Sequence, residues 1–210
     1  DAAKCEALAQ EATDVGIELF VLDDGWFVGR NDDTTSLGDW SVDQTKLPHG
    51  IGQLADTIKQ HGLLFGLWFE PEMISRKSNL YRQHPDWCLH VPNYEPMEGR
   101  NQLVLDLTRP AVQDYLIQML RQHLSTGKID YIKWDMNRHM SDVYSTAVDD
   151  SQQGEVWHRY ILGLYHVLEV ITNEFPTVLF EGCSSGGGRF DPGMLYYMPQ
   201  TWTSDNTDAP

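Results

Sequence analysis

Ile17-Glu18-Leu19-Phe20-Val21-Leu22-Asp23-Asp24-Gly25-Trp26 is a short, mostly apolar run that ends in two carboxylates and a glycine. Apolar runs of this length, bracketed by turn signals, fit strands buried on both faces. Upstream, Ala3, Ala7, Leu8, Ala12 and Val15 recur at helical spacing, and Gly16 suits a C-terminal cap. The same grammar repeats downstream. Ile51 to His61 reads as an amphipathic helix closed by Gly62, then Leu63 to Phe69 as a strand ending in Glu70 and Glu72. Leu103 to Leu107 reads as a strand carrying Asp106, and Pro110 to Ser125 as a helix with proline in its first turn. Ile129 to Trp134 ends in Asp135, and His158 to Phe175 is a long helix stopped by Pro176. Val178 to Phe180 leads into Glu181 and a glycine-rich loop, and a last short strand around Met198 to Thr203 ends at Asp205.

Alternating strands and helices imply a parallel sheet with helical crossovers, either doubly wound or closed as a barrel, with ligand chemistry at the strand C-termini. A doubly wound nucleotide fold needs a glycine-rich loop directly after its first strand. Here Asp23-Asp24-Gly25-Trp26 stands in that place, and a long loop follows, which favours a (β/α)8 barrel. A complete barrel takes about 250 residues. The 210 residues with six readable strands therefore predict a partial one.

Composition bounds the function. With 31 Asp plus Glu against 15 Lys plus Arg, the net charge is -16, and such a field repels phosphate backbones and anionic lipid. Nucleic acid and membrane are excluded as expected partners, and no apolar run approaches the roughly 20 residues of a spanning helix. Three cysteines, at 5, 88 and 183, make neither a disulfide framework nor a CxxC pair, so a reducing cytoplasm is the expected compartment. The 8 histidines show no HxH or HExxH pattern, so no metal and no cofactor is expected.

The chemistry-bearing signal is the series of carboxylates at strand ends: Asp23, Asp24, Glu70, Glu72, Asp106, Asp135, Glu181 and Asp205. Emerging beside Trp26, Trp40, Trp68, Trp134 and Trp202, they are expected to converge on one mouth suited to a polyhydroxylated sugar. Hydroxyls need acceptors, and the C–H face of a sugar ring needs an apolar platform. Tyr131-Ile132-Lys133-Trp134-Asp135-Met136-Asn137-Arg138 is the densest segment. Lys133, two positions before Asp135, points to the same side of the strand and would keep that carboxylate an anionic nucleophile. Glycoside cleavage also needs a protonated partner; Asp205 is the candidate, with Asp208 its rival. Glu181 to Arg189 lacks the ending of a P-loop and reads as a close backbone approach to a neutral sugar. Cys183 as a nucleophile is the alternative reading there.

LFVLDDGWF (19 to 27), LGDW (37 to 40), FGLWFEPEM (65 to 73), HPDW (84 to 87), RNQLVLDL (100 to 107), YIKWDMNR (131 to 138), HRYILGLY (158 to 165), EGCSSGGGRFDPGMLYYMPQ (181 to 200) and WTSDNTDA (202 to 209) closely resemble bacterial α-galactosidases of glycoside hydrolase family 36. The resemblance runs end to end. It implies a (β/α)8 barrel catalytic domain over residues 1–210, incomplete at both ends, from about helix 1 to strand 7, without the family's flanking β-domains. It implies a retaining, metal-independent enzyme that removes terminal α-galactosyl groups from melibiose- and raffinose-type oligosaccharides in the bacterial cytoplasm, as a tetramer at full length. Asp135 matches the nucleophile and Asp205 the general acid/base. Asp23 and Asp24 match the pair on the galactose 4- and 6-hydroxyls, and Trp68, Arg100 and Lys133 match further sugar contacts. Asn137, Cys183, Ser184 and Gly186 match the wall near the 2-position. Val28, inserted before Gly29-Arg30, departs from the pattern and touches loop geometry. Galactosyl transfer, action on N-acetylgalactosaminides, a metal-dependent barrel hydrolase and a sugar-binding fragment without turnover are the alternatives.

Overall fold

The computed structural model describes residues 1–206. In chain order the elements are α1 (Ala2–Asp14), β1 (Leu19–Leu22), α2 (Gly50–Gln60), β2 (Leu64–Phe69), β3 (Met73–Ile74), α3 (Asn79–Gln83), β4 (Leu103–Val104), α4 (Pro110–Leu124), β5 (Tyr131–Trp134), α5 (Val156–Glu174), β6 (Leu179–Gly182), α6 (Pro192–Tyr197) and β7 (Gln200–Thr201). The boundaries follow local chemistry. The Asp1 carboxylate accepts from Lys4 N at 3.0 Å and starts α1, and Gly16 and Gly62, at φ 79° and 84°, release the chain after α1 and α2.

The sheet of the described residues has the order β1-β2-β5-β6-β7, and every neighbouring pair is parallel. Helices connect the strands, as parallel pairing requires. Phe65, Leu67, Phe69, Ile132, Trp134 and Phe180 are at most 1% exposed on the face that packs with the helices, where α2 contributes Ile51, Leu54 and Ile58 and α5 contributes Tyr160, Leu164, Val167 and Leu168. Each such buried aliphatic side chain stabilises the fold by about 1.5–3 kcal/mol relative to exposure. The alternate residues line the other face. Register sets Trp68, Lys133, Glu181 and Gln200 in one row across that face. Two residues further along each strand direction lie Glu70, Asp135, Cys183 and Trp202.

Six strands were expected in this sheet and five are present among the described residues, because the run Leu103 to Leu107 is not part of it. Only Leu103 and Val104 form a strand, antiparallel to β3. Beyond it the backbone turns away: Leu105 N donates to Glu72 O at 2.9 Å and Asp106 N to Trp87 O at 2.6 Å. The Asp106 carboxylate then accepts from Thr108 N and Oγ1 and from Ser145 Oγ, at 3.1, 2.6 and 2.6 Å. The run is apolar because it is buried, not because it pairs in the sheet. The sheet itself is open, with β1 and β7 at its edges.

Candidate functional site

Asp135 follows directly on β5, and its backbone N–H donates to Phe69 O at 2.8 Å, continuing the ladder one step past the strand. The residue is 6% exposed. Its Oδ1 accepts from Met136 N at 2.9 Å; its Oδ2 accepts from Asn137 Nδ2 at 2.7 Å and Trp68 Nε1 at 3.1 Å. Three N–H donors on one buried carboxylate offset much of the cost of taking that charge out of water.

Lys133, expected as the cation near Asp135, makes its ion pair with another carboxylate. Its Nζ donates to Asp23 Oδ2 at 2.9 Å, across the sheet just past β1. Burial alone would lower the Lys133 pKa, but the hydrogen bond and charge of Asp23 outweigh it and raise it, with Cys183 and Asp135 adding to the effect. The same ammonium stands 4.7 Å from the ring centroid of Trp202, just past β7. Lys133 thus ties β1, β5 and the segment after β7 together.

Asp24 is held by the buried Arg30 in a forked contact, Nε to Oδ1 at 3.0 Å and Nη2 to Oδ2 at 2.8 Å. Asp23 and Asp24 therefore differ in kind: one meets a lysine at the mouth, the other is clamped by an arginine from its own loop. Arg30 had no role in the sequence reading, although it lies beside the Val28 departure. Arg100 is exposed in a left-handed turn at φ 52° and makes no ion pair among the described residues.

The loop after β6 supplies the facing wall. Cys183 is 3% exposed, and its O accepts from Met136 N at 3.0 Å. Burial and the neighbouring Asp135 push its thiol up to about 12, so it is protonated at neutral pH and the cysteine-nucleophile reading loses its basis. Ser184 Oγ donates to Met136 O at 3.0 Å. Asn137 and Ser184, with Arg189, line a cavity of about 480 Å³. Gly186, at φ 87°, lies so close to the next segment that a Cβ there would stand 2.8 Å from Ser204 Cα. That approach seats the segment carrying Asp205 against the loop. Asp205 is exposed, in a turn. Asp208, its rival, lies outside the described residues.

The eight strand-end carboxylates do not all converge. Asp106 caps the corner described above. Glu72, fully buried, faces the helical side, where it accepts from Trp134 Nε1, Tyr160 OH and Arg189 Nη1 at 2.9, 2.6 and 2.7 Å. Glu181 lies one row below the site, bonded to Tyr131 OH and Gln200 Nε2 at 2.5 and 3.1 Å. The tryptophans divide similarly. Trp26, Trp40, Trp68 and Trp134 are 4% exposed or less, three of them within a cluster with Phe27, Phe69 and His123, while Trp202 is 37% exposed. Trp68 reaches the site by its indole N–H rather than by an open face. Among the described residues no group of three or more His, Cys, Asp or Glu is placed to hold a metal ion, and no helix is long and apolar enough to cross a membrane.

The melibiase family model matches residues 1–210. This chain belongs to the melibiase family. It is 61% identical to alpha-galactosidase AgaA of Geobacillus stearothermophilus, over 96% of this chain and 28% of that protein. It is 54% identical to alpha-galactosidase Mel36A of Lactobacillus acidophilus, over 98% of this chain and 28% of that one. The melibiase-family chain thus spans a little over a quarter of the length of these relatives. The crystal structure of GH36 AgaA superposes with a TM-score of 0.97 at 59% identity, covering 99% of this chain and 29% of that one. AgaA variants have been crystallised in complex with raffinose and with stachyose.

Proposed function

We propose that this melibiase-family chain carries the reaction centre of a retaining α-galactosidase acting on raffinose-type oligosaccharides, within a (β/α)8 barrel domain that spans residues 1–210 and continues at both ends. One observation supports it most: Asp135, buried at the end of β5, has both carboxylate oxygens fixed by Met136, Asn137 and Trp68. That arrangement suits a nucleophile whose attacking oxygen must be aimed rather than free. The barrel reading draws support from Leu64 and Leu179, 53% and 41% exposed on the sheet face away from the helices, apolar surface of the kind a closed barrel covers.

In this reading Asp135 attacks the anomeric carbon while protonated Asp205 donates to the leaving oxygen. Asp205 then deprotonates the water that releases galactose. Asp23 and Asp24 accept from the 4- and 6-hydroxyls, with Lys133 and Arg30 holding them in place. Trp68, Arg100 and Lys133 contact the sugar, and Asn137, Cys183, Ser184 and Gly186 form the wall near its 2-position. Relatives crystallised with raffinose and stachyose support an oligosaccharide substrate.

The test is release of chromophore from an aryl α-galactoside by the wild type and by Asp135→Asn. Loss of turnover by a factor on the order of 10³ or more is expected, with sugar binding kept. Equal rates would remove Asp135 from the reaction, and sugar binding by the wild type without turnover would favour a binding module. The anomer first released, followed by NMR, decides retention.

A further inference from the structure

Glu70 belongs to the site row beside Asp135, and the proposed mechanism gives it no task. It is fully buried just past β2, where its Oε1 accepts from the backbone N–H of Asn137 at 2.6 Å and its Oε2 from Gln102 Nε2 at 3.1 Å. The same Asn137 turns its side-chain amide to Asp135 Oδ2 at 2.7 Å. One residue therefore links two carboxyl groups, its main chain fixed by one and its side chain fixing the other. Asn137 sits in the loop after β5, where no ladder holds the backbone. Without the Glu70 acceptor, its N–H would be left without a partner and the amide would lose its aim.

We propose that Glu70 is a positioning residue for Asp135, acting through Asn137. The inference rests on the reading of Asp135 as the nucleophile. Burial first, and the charge of Asp135 second, push Glu70 up to about 7, against the hydrogen bonds of Asn137 and the charge of Arg100 in the loop before β4. Below that pH the carboxyl is neutral, keeps the carbonyl acceptor that Asn137 needs and places no second negative charge beside the nucleophile. A glutamine at this position does the same. Its amide nitrogen has an acceptor at hand, because Gln102 Oε1 is buried without a partner and a half-turn of the Gln102 amide presents it.

The experiment compares Glu70→Met and Glu70→Gln with wild type in the full-length protein that carries this chain, using an aryl α-galactoside. Glu70→Met removes the acceptor and is expected to lower kcat by about 30-fold while KM stays within about threefold. Glu70→Gln keeps the acceptor for Asn137 and is expected to recover most of that loss. A folded Glu70→Met with wild-type kcat, or a Glu70→Gln as impaired as Glu70→Met, overturns the proposal. Should Glu70→Met fail to fold, Glu70→Gln decides alone: it keeps the acceptor, so a folded Glu70→Gln with kcat below about a tenth of the wild type overturns the proposal. Wild-type protein without turnover would sink the galactosidase reading, and this inference with it, whereas wild-type turnover with insensitive Glu70 variants would sink the inference alone.

Discussion

Trp68 shows how a single residue type is put to a use its composition class does not suggest. Its ring is buried against Trp40 at 6.1 Å between centroids, and its indole N–H is what reaches the site, at 3.1 Å from Asp135 Oδ2. Phenylalanine removes the donor and, with it, one of the two fused rings, leaving a small cavity at this buried site. Trp68→Phe is therefore expected to lower the melting temperature by a few degrees and kcat by about 10- to 100-fold, the latter being the value of one hydrogen bond to a charged group. Steady-state kinetics beside thermal denaturation check this, and an unaltered kcat would mean that Met136 and Asn137 suffice to aim Asp135.

Elements are placed here by glycines at close approaches. Gly163, in the middle of α5, lies so near the chain after β4 that a Cβ would come within 2.0 Å of Leu107 O. Backbone cannot yield as a flexible side chain does, so Gly163→Ala must push the helix outward. The expected cost is about 3 kcal/mol, which for a chain of this size lowers the melting temperature by about 6–12 °C, measurable by calorimetry. Gly186 performs the equivalent service for the segment after β7. A Cβ there meets Ser204 Cα at 2.8 Å, and φ is 87°. Gly186→Ala should displace Asp205 and reduce kcat/KM on the order of tenfold to a hundredfold. Activity at the wild-type level would show that this contact does not seat the acid.

For the whole molecule, a buried carboxyl makes stability depend on pH. Glu70 is pushed up from 4.5 to about 7. The folded protein therefore keeps a proton that the unfolded chain has already released, and the contribution of this group to stability falls as pH rises through that window. Relative to Glu70→Gln, the wild type should lose stability on the order of 3 kcal/mol between about pH 5 and pH 8, read from denaturant titrations at the two pH values. A constant difference between the two proteins would mean that Glu70 is ionised throughout.

The sequence by itself determined the alternation of strand and helix, the parallel sheet and the strand-end places of most of the carboxylates, Asp106 excepted. These follow from apolar runs, caps and glycines that act within a few residues of one another: Gly16 and Gly62 end the helices they were read to end. The tertiary structure alone decided which carboxylates share a site. Glu70 and Glu72 are two residues apart, yet one bonds to Asn137 beside Asp135 and the other to Tyr160 on α5. It also decided that Lys133 meets Asp23 rather than Asp135, and that the run after Gln102 leaves the sheet. Burial and charge pairing depend on residues far away in the chain, brought near only when the sheet assembles, so local pattern could name these side chains but not their partners.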